Sequence, residues 1–517
     1  MTGTVITPTA TTETIVDTGH GRLRGSLSDG VHSFKGVPYA VPPFGANRLR
    51  PPRPVEPWAG VRDSLTFGAE PPQLRPPTGH AAAAMVWDPA VPGEDCLNLN
   101  VWTPDPGSAG LPVLVWIPGG MFEVGTGASY DGGRFARDGV VCVTINYRVG
   151  AEGFLYLADG DANLGLLDQI AALEWVRENI AAFGGDPAKV TIFGESAGAM
   201  SVGTLLAAPR ANGLFRGAIT QSGAADRVVL AATAERIGRY LADRLGVDAT
   251  RDAIAAIPPD QVLLAAAELK ADMVTHPDPE RWGLDVVASA LPWQPVIDGD
   301  VVPGRPIDRI AGGASSGVTV MAGSNADDWR LFVVANGSLD RLTDEILAGP
   351  VIEHGFESAA AYGLSGDAVA AYRAAYPGAS PGELLAAIET DWWCRIPALR
   401  LADAHAPARS GTYLYEFAWS SPEVGPLFGA CHALEIGFVF DTLDHGPEQM
   451  LGAMLGADPP QGLADAMHGA WVAFAAAGDP GWPRYTLDRR ATMRFDTVSR
   501  VVDDPRSFER TLWSGLG

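Results

Sequence analysis

The sequence predicts an α/β fold, a mostly parallel central sheet with helices on both faces. Three observations carry this. Leu111-Pro112-Val113-Leu114-Val115-Trp116-Ile117 and the stretch Gly139 to Asn146 are continuous apolar runs, as expected of strands buried on both faces. Between such runs lies helical spacing, with Leu166, Leu167, Ile170, Leu173, Trp175, Val176 and Ile180 recurring from Asn163 to Phe183. An apolar run and a small-residue helical stretch then flank Gly194-Glu195-Ser196-Ala197-Gly198. Alternating buried strands and helices are what a parallel sheet with crossover helices requires.

In chain order, residues 1–13 read as a disordered lead, Thr-rich, without the basic start and apolar core of a signal peptide. Thr14 to Gly25 alternates and turns like small antiparallel strands, and Val31 to Lys35 resembles another. The Pro-rich stretch from Gly36 through Pro57 can form neither continuous helix nor central strand, so it is expected to wrap the surface in extended form. Glu94 to Trp102 alternates polar and apolar before becoming a strand. The run Leu111 to Ile117 ends in the loop Pro118-Gly119-Gly120-Met121-Phe122.

Lys189 to Phe193, β-branched and apolar, reads as a short buried strand, and Ala199 to Leu206 as a packed helix. Phe215 to Gly223 gives another short strand, and residues 230–272 are Ala-rich and helical. Val318 to Gly323 is a strand leading into Ser324-Asn325-Ala326-Asp327-Asp328-Trp329. Residues 340–408 are mostly helical, with Pro-Gly breaks at 377 and 381. Thr412 to Phe417 is a strand, Gly429-Ala430-Cys431-His432-Ala433-Leu434-Glu435 a loop after it, and residues 463–477 a late helix. With no internal repeat and no long linker, one catalytic domain over 14–517 is expected, with helical insertions at about 230–290 and 340–408.

Composition narrows the function. The 517 residues are 47% hydrophobic and 19% charged, enough apolar material for a sizeable core. Lys and Arg number 37 against 61 Asp and Glu, which argues against nucleic acid or anionic membrane as partner. Cys96, Cys142, Cys394 and Cys431 form no metal-type spacing, so no metal is expected. No apolar run reaches membrane-spanning length. The expectation is a cytoplasmic protein, with secretion left open, and monomer and homodimer equally open.

The stretch around Ser196 carries the chemistry. A strand reversing sharply into a helix strains the residue at the turn. Neighbouring chain passes close by, so Gly194 and Gly198 must lack side chains. Ser196 is then presented at the tip, with the N–H groups and dipole of the helix start behind it. A bare G-x-S-x-G arises by chance in a chain with 61 Gly; its place between strand and helix is what marks a nucleophile elbow.

A serine hydroxyl needs a positioned base, commonly His, which a carboxylate orients. In α/β-hydrolases the chain order is Ser, acid, His. The histidines after Ser196 are His276, His354, His405, His432, His445 and His468. His276 and His405 are expected at the surface, and His468 sits mid-helix, a poor place for a mobile base. His432 lies in a loop after a strand and is the candidate base. Asp327 and Asp328 follow a buried strand, where catalytic groups of open α/β sheets gather, and spacing leaves the two undecided. The backbone N–H groups for a developing oxyanion are expected from Ala197 and from the loop Gly119-Gly120-Met121.

Taken together, these residues resemble the type-B carboxylesterase/cholinesterase family, with bacterial para-nitrobenzyl-esterase-like carboxylesterases among its members. Phe183 through Gly198 resembles that family's serine signature, and Glu94 through Trp102 its second signature. Phe34 through Pro43, Asn146-Tyr147-Arg148-Val149-Gly150 and Gly429-Ala430-Cys431-His432 are similar to further blocks. The resemblance covers about 14 to 515. It implies an α/β-hydrolase fold with helical insertions forming a gorge. It also implies ester hydrolysis through an acyl-enzyme, with Ser196 as nucleophile, His432 as base, Asp328 as acid, and an oxyanion hole from Gly120, Met121 and Ala197. No cofactor is implied. Trp87, Gly119, Phe122, Glu195, Ser222 and Trp329 are candidates for the pocket of a small-molecule ester.

The sequence also departs from the family. Met121 stands where the family's loop has Gly; a backbone donor survives, but the side chain should shrink the pocket. The acid is Asp rather than Glu, one methylene shorter. Secreted relatives pair the cysteine of the Glu-Asp-Cys block with one upstream, and here no Cys precedes Cys96, which fits a reducing compartment. Trp87 lies near where cholinesterases place a choline-binding tryptophan, although a plain covering role is the simpler expectation. An amidase, lipase or acyltransferase with the same triad is the alternative activity. A non-catalytic binding relative is the alternative from another class, and the intact Ser196 and His432 count against it.

Overall fold

The computed structural model describes residues 12–75, 90–349, 352–353, 356–357, 359–444 and 450–515. Among them one sheet of 13 strands runs through the molecule. Its strands are β1 (Thr12–Thr18), β2 (Gly21–Ser28), β3 (Val31–Pro38), β4 (Val61–Asp63), β5 (Asn98–Thr103), β6 (Leu111–Ile117) and β7 (Val141–Ile145). Then come β8 (Gly185–Glu195), β9 (Gly217–Gln221), β10 (Thr319–Asn325), β11 (Thr412–Phe417), β12 (Ala491–Phe495) and β13 (Arg500–Asp503). The order is β1-β2-β3-β5-β7-β6-β8-β9-β10-β11-β12-β13, with β4 beside β2. From β7 through β12 the pairings are parallel, and the flanks are antiparallel except for the parallel β2–β4 pair.

The apolar runs explain the parallel centre. Side chains alternate between the two faces of a strand, so a strand covered on both sides must be apolar throughout. Val113, Val115 and Ile117 of β6 enter one core cluster, with Val190 and Ile192 of β8. Leu114 and Trp116 of β6 enter the other, with Phe193. The first cluster is roofed by α1 (Leu164–Asn179), α2 (Ala197–Ala207) and, from the segment between β9 and β10, α3 (Ala231–Leu245) and α4 (Pro259–Thr275). Helices α5 (Pro381–Thr390) and α6 (Ile396–His405) join it, linked by a wider π-type turn at Asp391–Arg395. The second cluster is covered by α7 (Gln461–Ala477).

Three local expectations change. Strand β1 begins at Thr12, inside the expected lead, while residues 1–11 lie outside the described residues. Strand β3 runs on to Pro38; a kink at Gly36, with φ +64°, and an irregular register between Phe34 and Val37 let it enter the Pro-rich stretch. His405 is buried, not at the surface. Its Nδ1 lies 2.8 Å from Thr412 Oγ1 and its Nε2 3.2 Å from the Ser315 carbonyl. The Ala-rich sequence around it hid which face of α6 meets the sheet.

A buried ion pair ties the segment after β7 to α1. Arg148, just beyond β7, meets Asp168 of α1 through Nη2···Oδ1 and Nε···Oδ2 contacts of 2.7 Å each. The Asp168 carboxylate also accepts the Arg148 backbone N–H at 3.0 Å. The side chains are 1% and 0% exposed. Removing one partner strands a charge in the core, so Asp168→Ala is expected to lose about 3–5 kcal/mol of stability, read by urea unfolding.

Candidate active site

The elbow forms at the end of β8. Ser196 holds φ +56° and ψ −126°, the strained turn its position demands. Its N–H donates to the Gln221 carbonyl at 2.9 Å, and its carbonyl accepts from Met200 N–H at 2.9 Å, which fixes strand, turn and α2 together. The flanking glycines are required by contact. A Cβ on Gly194 would lie 2.7 Å from both the Gly198 carbonyl carbon and the Ile117 carbonyl oxygen, and a Cβ on Gly198 would collide with that same oxygen.

Strand ends bring the next groups to Ser196. Strands β8, β9 and β10 are in register through Glu195, Gln221 and Gly323. Beyond them, Ser222 N–H donates to the Gly323 carbonyl, Ala326 N–H to Phe417, and Asp327 N–H to Ala430. His432 N–H donates to the Asp328 carbonyl at 3.0 Å. These backbone bonds hold the Asp327-Asp328 loop against the loop that carries His432.

The two aspartates then separate cleanly. Asp328 is fully buried, and its Oδ1 lies 2.9 Å from His432 Nδ1. Its Oδ2 accepts the Asn325 N–H at 2.8 Å and the Ser222 hydroxyl at 3.1 Å. Asp327 instead turns its carboxylate to the Ala430 N–H, 3.0 Å away, and caps the histidine loop.

His432 lies between carboxylates. On its other side Nε2 is 3.0 Å from Glu195 Oε1. Burial pulls the imidazole pKa down, but the nearby Glu195 charge and the hydrogen bond to Asp328 outweigh it and hold it well above the ordinary value. Rings pack around it, Phe332 at 5.3 Å and Trp329 at 6.0 Å between centroids, with Trp393 stacked on Trp329 at 4.3 Å.

The loop after β6 faces the elbow. A Cβ on Gly119 would lie 3.1 Å from Ser196 Cβ. Gly120 has φ +115°, and Met121 and Phe122 hold φ +55° and +59°. Left-handed backbone at a residue with a side chain costs about 1–2 kcal/mol, so surrounding contacts must hold the loop. Tyr147 donates to the Pro118 carbonyl at 2.9 Å, and Gly150 N–H to the Phe122 carbonyl at 2.6 Å. Lys270 of α4 reaches Glu123 at 2.6 Å. Among the described residues the Gly120 and Met121 N–H groups donate to nothing. The Ala197 N–H opens α2, where a helix leaves its first donors free.

Two further pocket candidates lie elsewhere. Phe122 is buried against Phe154, 5.1 Å between ring centroids, and Ser222 sits behind Asp328. Trp87, His354 and His445 lie outside the described residues.

The family model described as Carboxylesterase family matches residues 12–511. The chain belongs to the carboxylesterase family. The Bacillus subtilis para-nitrobenzyl esterase is 36% identical over 96% of this chain and 98% of its own. The phenmedipham hydrolase of Pseudarthrobacter oxydans is 34% identical over 93% and 95%. A Geobacillus stearothermophilus carboxylesterase crystal structure matches with TM-score 0.80 and 38% identity, covering 96% of this chain and 99% of that one. This carboxylesterase thus has the expected α/β-hydrolase fold and is a carboxylic ester hydrolase. Among its described residues no helix is long and apolar enough to cross a membrane.

The esterase also contains groups that sequence reasoning missed. Glu435 is fully buried behind the histidine, bonded by Asn325 at 2.6 Å and Gln221 at 3.1 Å. Trp471 of α7 donates to Gln221 Oε1 at 3.0 Å. Burial, then the charges of Glu195 and Asp328, push its carboxyl up to about 8. Its place three residues after His432 was the available signal. Cys394 is the other; nothing in its sequence surroundings marked it as a neighbour of His432.

The raised His432 pKa has a testable origin. Glu195→Gln removes its largest raising charge, so the His432 ring titration followed by NMR should move to lower pH. The folded ring holds its proton more tightly than the unfolded one. Its contribution to stability is therefore fully present below about pH 6.5 and is lost as pH rises through the folded value. Glu195→Gln should flatten that loss.

Proposed function

We propose that this carboxylesterase cleaves its esters through an acyl-enzyme on Ser196, with His432 as base and Asp328 as the acid. The observation that carries the reading is the 2.9 Å contact of Asp328 Oδ1 with His432 Nδ1, at the strand ends beside the Ser196 elbow. Asp328 holds the imidazole with Nδ1 protonated, leaving Nε2 to take the Ser196 proton. The imidazolium so formed lies between Asp328 and Glu195, which both stabilise it. The serine oxygen attacks the ester carbonyl, and the N–H groups of Gly120, Met121 and Ala197 receive the oxyanion. His432 then protonates the departing alcohol, and water releases the acid by the same steps in reverse. This chemistry calls for no metal or organic cofactor.

The para-nitrobenzyl esterase among the relatives supports a small ester as substrate. Four buried, unbridged cysteines support a reducing, cytoplasmic compartment.

Labelling by a fluorophosphonate probe should vanish in Ser196→Ala, and persistence would refute the nucleophile assignment. Asp328→Asn should cut kcat by about ten-thousandfold, and Asp327→Asn far less; the reverse order would exchange the two roles. Met121→Gly should broaden acceptance of branched-alcohol esters relative to small ones on a 4-nitrophenyl and benzyl ester panel. An unchanged preference would remove Met121 from the pocket.

A further inference from the structure

Cys394 is built into the site without a part in the steps above. It sits in the turn Asp391–Arg395 between α5 and α6, fully buried. Its thiol points at the Ser222 carbonyl, 3.5 Å away, the same Ser222 whose hydroxyl holds Asp328. One ligand atom each from Asp328, Cys394 and His432 lie within 4.8 Å of one another. The frame is rigid: Trp393, beside Cys394, stacks on Trp329, and Arg227 lies 3.8 Å over Trp392.

A thiolate, an imidazole and one carboxylate form a shell suited to zinc and its softer congener cadmium, and poorly suited to magnesium or calcium. Tetrahedral zinc with bonds of about 2.0–2.3 Å places its ligand atoms about 3.3–3.6 Å apart. Asp328 Oδ1 and His432 Nδ1 already lie 2.9 Å apart, and the Cys394 sulfur completes a cluster within 4.8 Å. Three protein ligands leave a fourth position for water.

We propose that Asp328, Cys394 and His432 form an inhibitory site for a thiophilic divalent cation such as Zn²⁺ or Cd²⁺. Binding releases one proton. The Cys394 S–H gives it to solvent and the sulfur binds the metal as thiolate. The proton of the neutral imidazole moves from Nδ1 to Nε2 as Nδ1 takes the metal, so Nε2 has no lone pair for Ser196. Asp328 becomes a metal ligand and no longer orients the ring. Inhibition therefore rests on the triad reading above, whereas binding does not.

The test uses the full-length, EDTA-treated protein with Zn²⁺ or Cd²⁺ alone. Hydrolysis of 4-nitrophenyl acetate should be lost on metal addition and restored by EDTA, with Mg²⁺ and Ca²⁺ inert. Cys394→Ala, scored against its own metal-free rate, should need at least about tenfold more metal. Cys394→Ser serves if the alanine variant does not fold. Independently of activity, one Cd²⁺ per chain should give an ultraviolet thiolate-to-cadmium band that Cys394→Ala or Cys394→Ser abolishes and Cys431→Ala retains. Equal metal sensitivity with and without the Cys394 thiol, or a band that survives its removal, overturns the proposal. A Cys394-dependent band without inhibition keeps the site and refutes the roles given to His432 and Asp328.

Discussion

The contact between Gly198 and the Ile117 carbonyl sets the geometry of everything near Ser196. Strand β8 can reverse into α2 only if the helix start passes directly over the end of β6. That close approach leaves no room for a side chain, and it puts the loop beginning at Pro118 against the serine. One backbone contact therefore fixes two things together, the strained φ of Ser196 and the placement of the Gly119-Gly120-Met121 loop. The cost of the strain is met by the apolar layers on both faces, where β6 and β8 place alternate side chains.

Around this frame the electrostatics are concentrated on one ring. Glu195, Asp328 and Glu435 are all buried, and three carboxyls in so small a volume cannot all carry charge without compensation. The structure distributes the load. Asp328 receives two hydrogen-bond donors besides His432, and Glu435 takes amide donors from Asn325 and Gln221 while its carboxyl is pushed up. The imidazole is left as the site where positive charge is most favoured.

Much of this was legible in the sequence, for specific reasons. The parallel strands announced themselves because burial on both faces demands continuous apolar runs, as at Leu111 to Ile117. The elbow was legible because close backbone approach demands glycine at 194 and 198. The last two strands, β12 and the edge strand β13, were not, since Arg494 and Arg500 interrupt any pattern in strands that are partly solvated. Nor could spacing separate Asp327 from Asp328: adjacent residues in a loop point in directions that only the fold decides, one to the Ala430 N–H and the other to the imidazole. Glu435, Gln221 and Asn325 come from three distant segments, so their convergence is a property of the sheet register and leaves no local trace.

The link between Lys270 and Glu123 joins residues 147 positions apart, one on helix α4 and one directly after the strained Met121-Phe122 pair. Helix α4 lies outside the central sheet, where drift in sequence is cheapest, yet it grips a loop with strained backbone. Natural variation in this peripheral helix thus has a mechanical route to turnover, and laboratory evolution of this enzyme would find useful changes far from the serine.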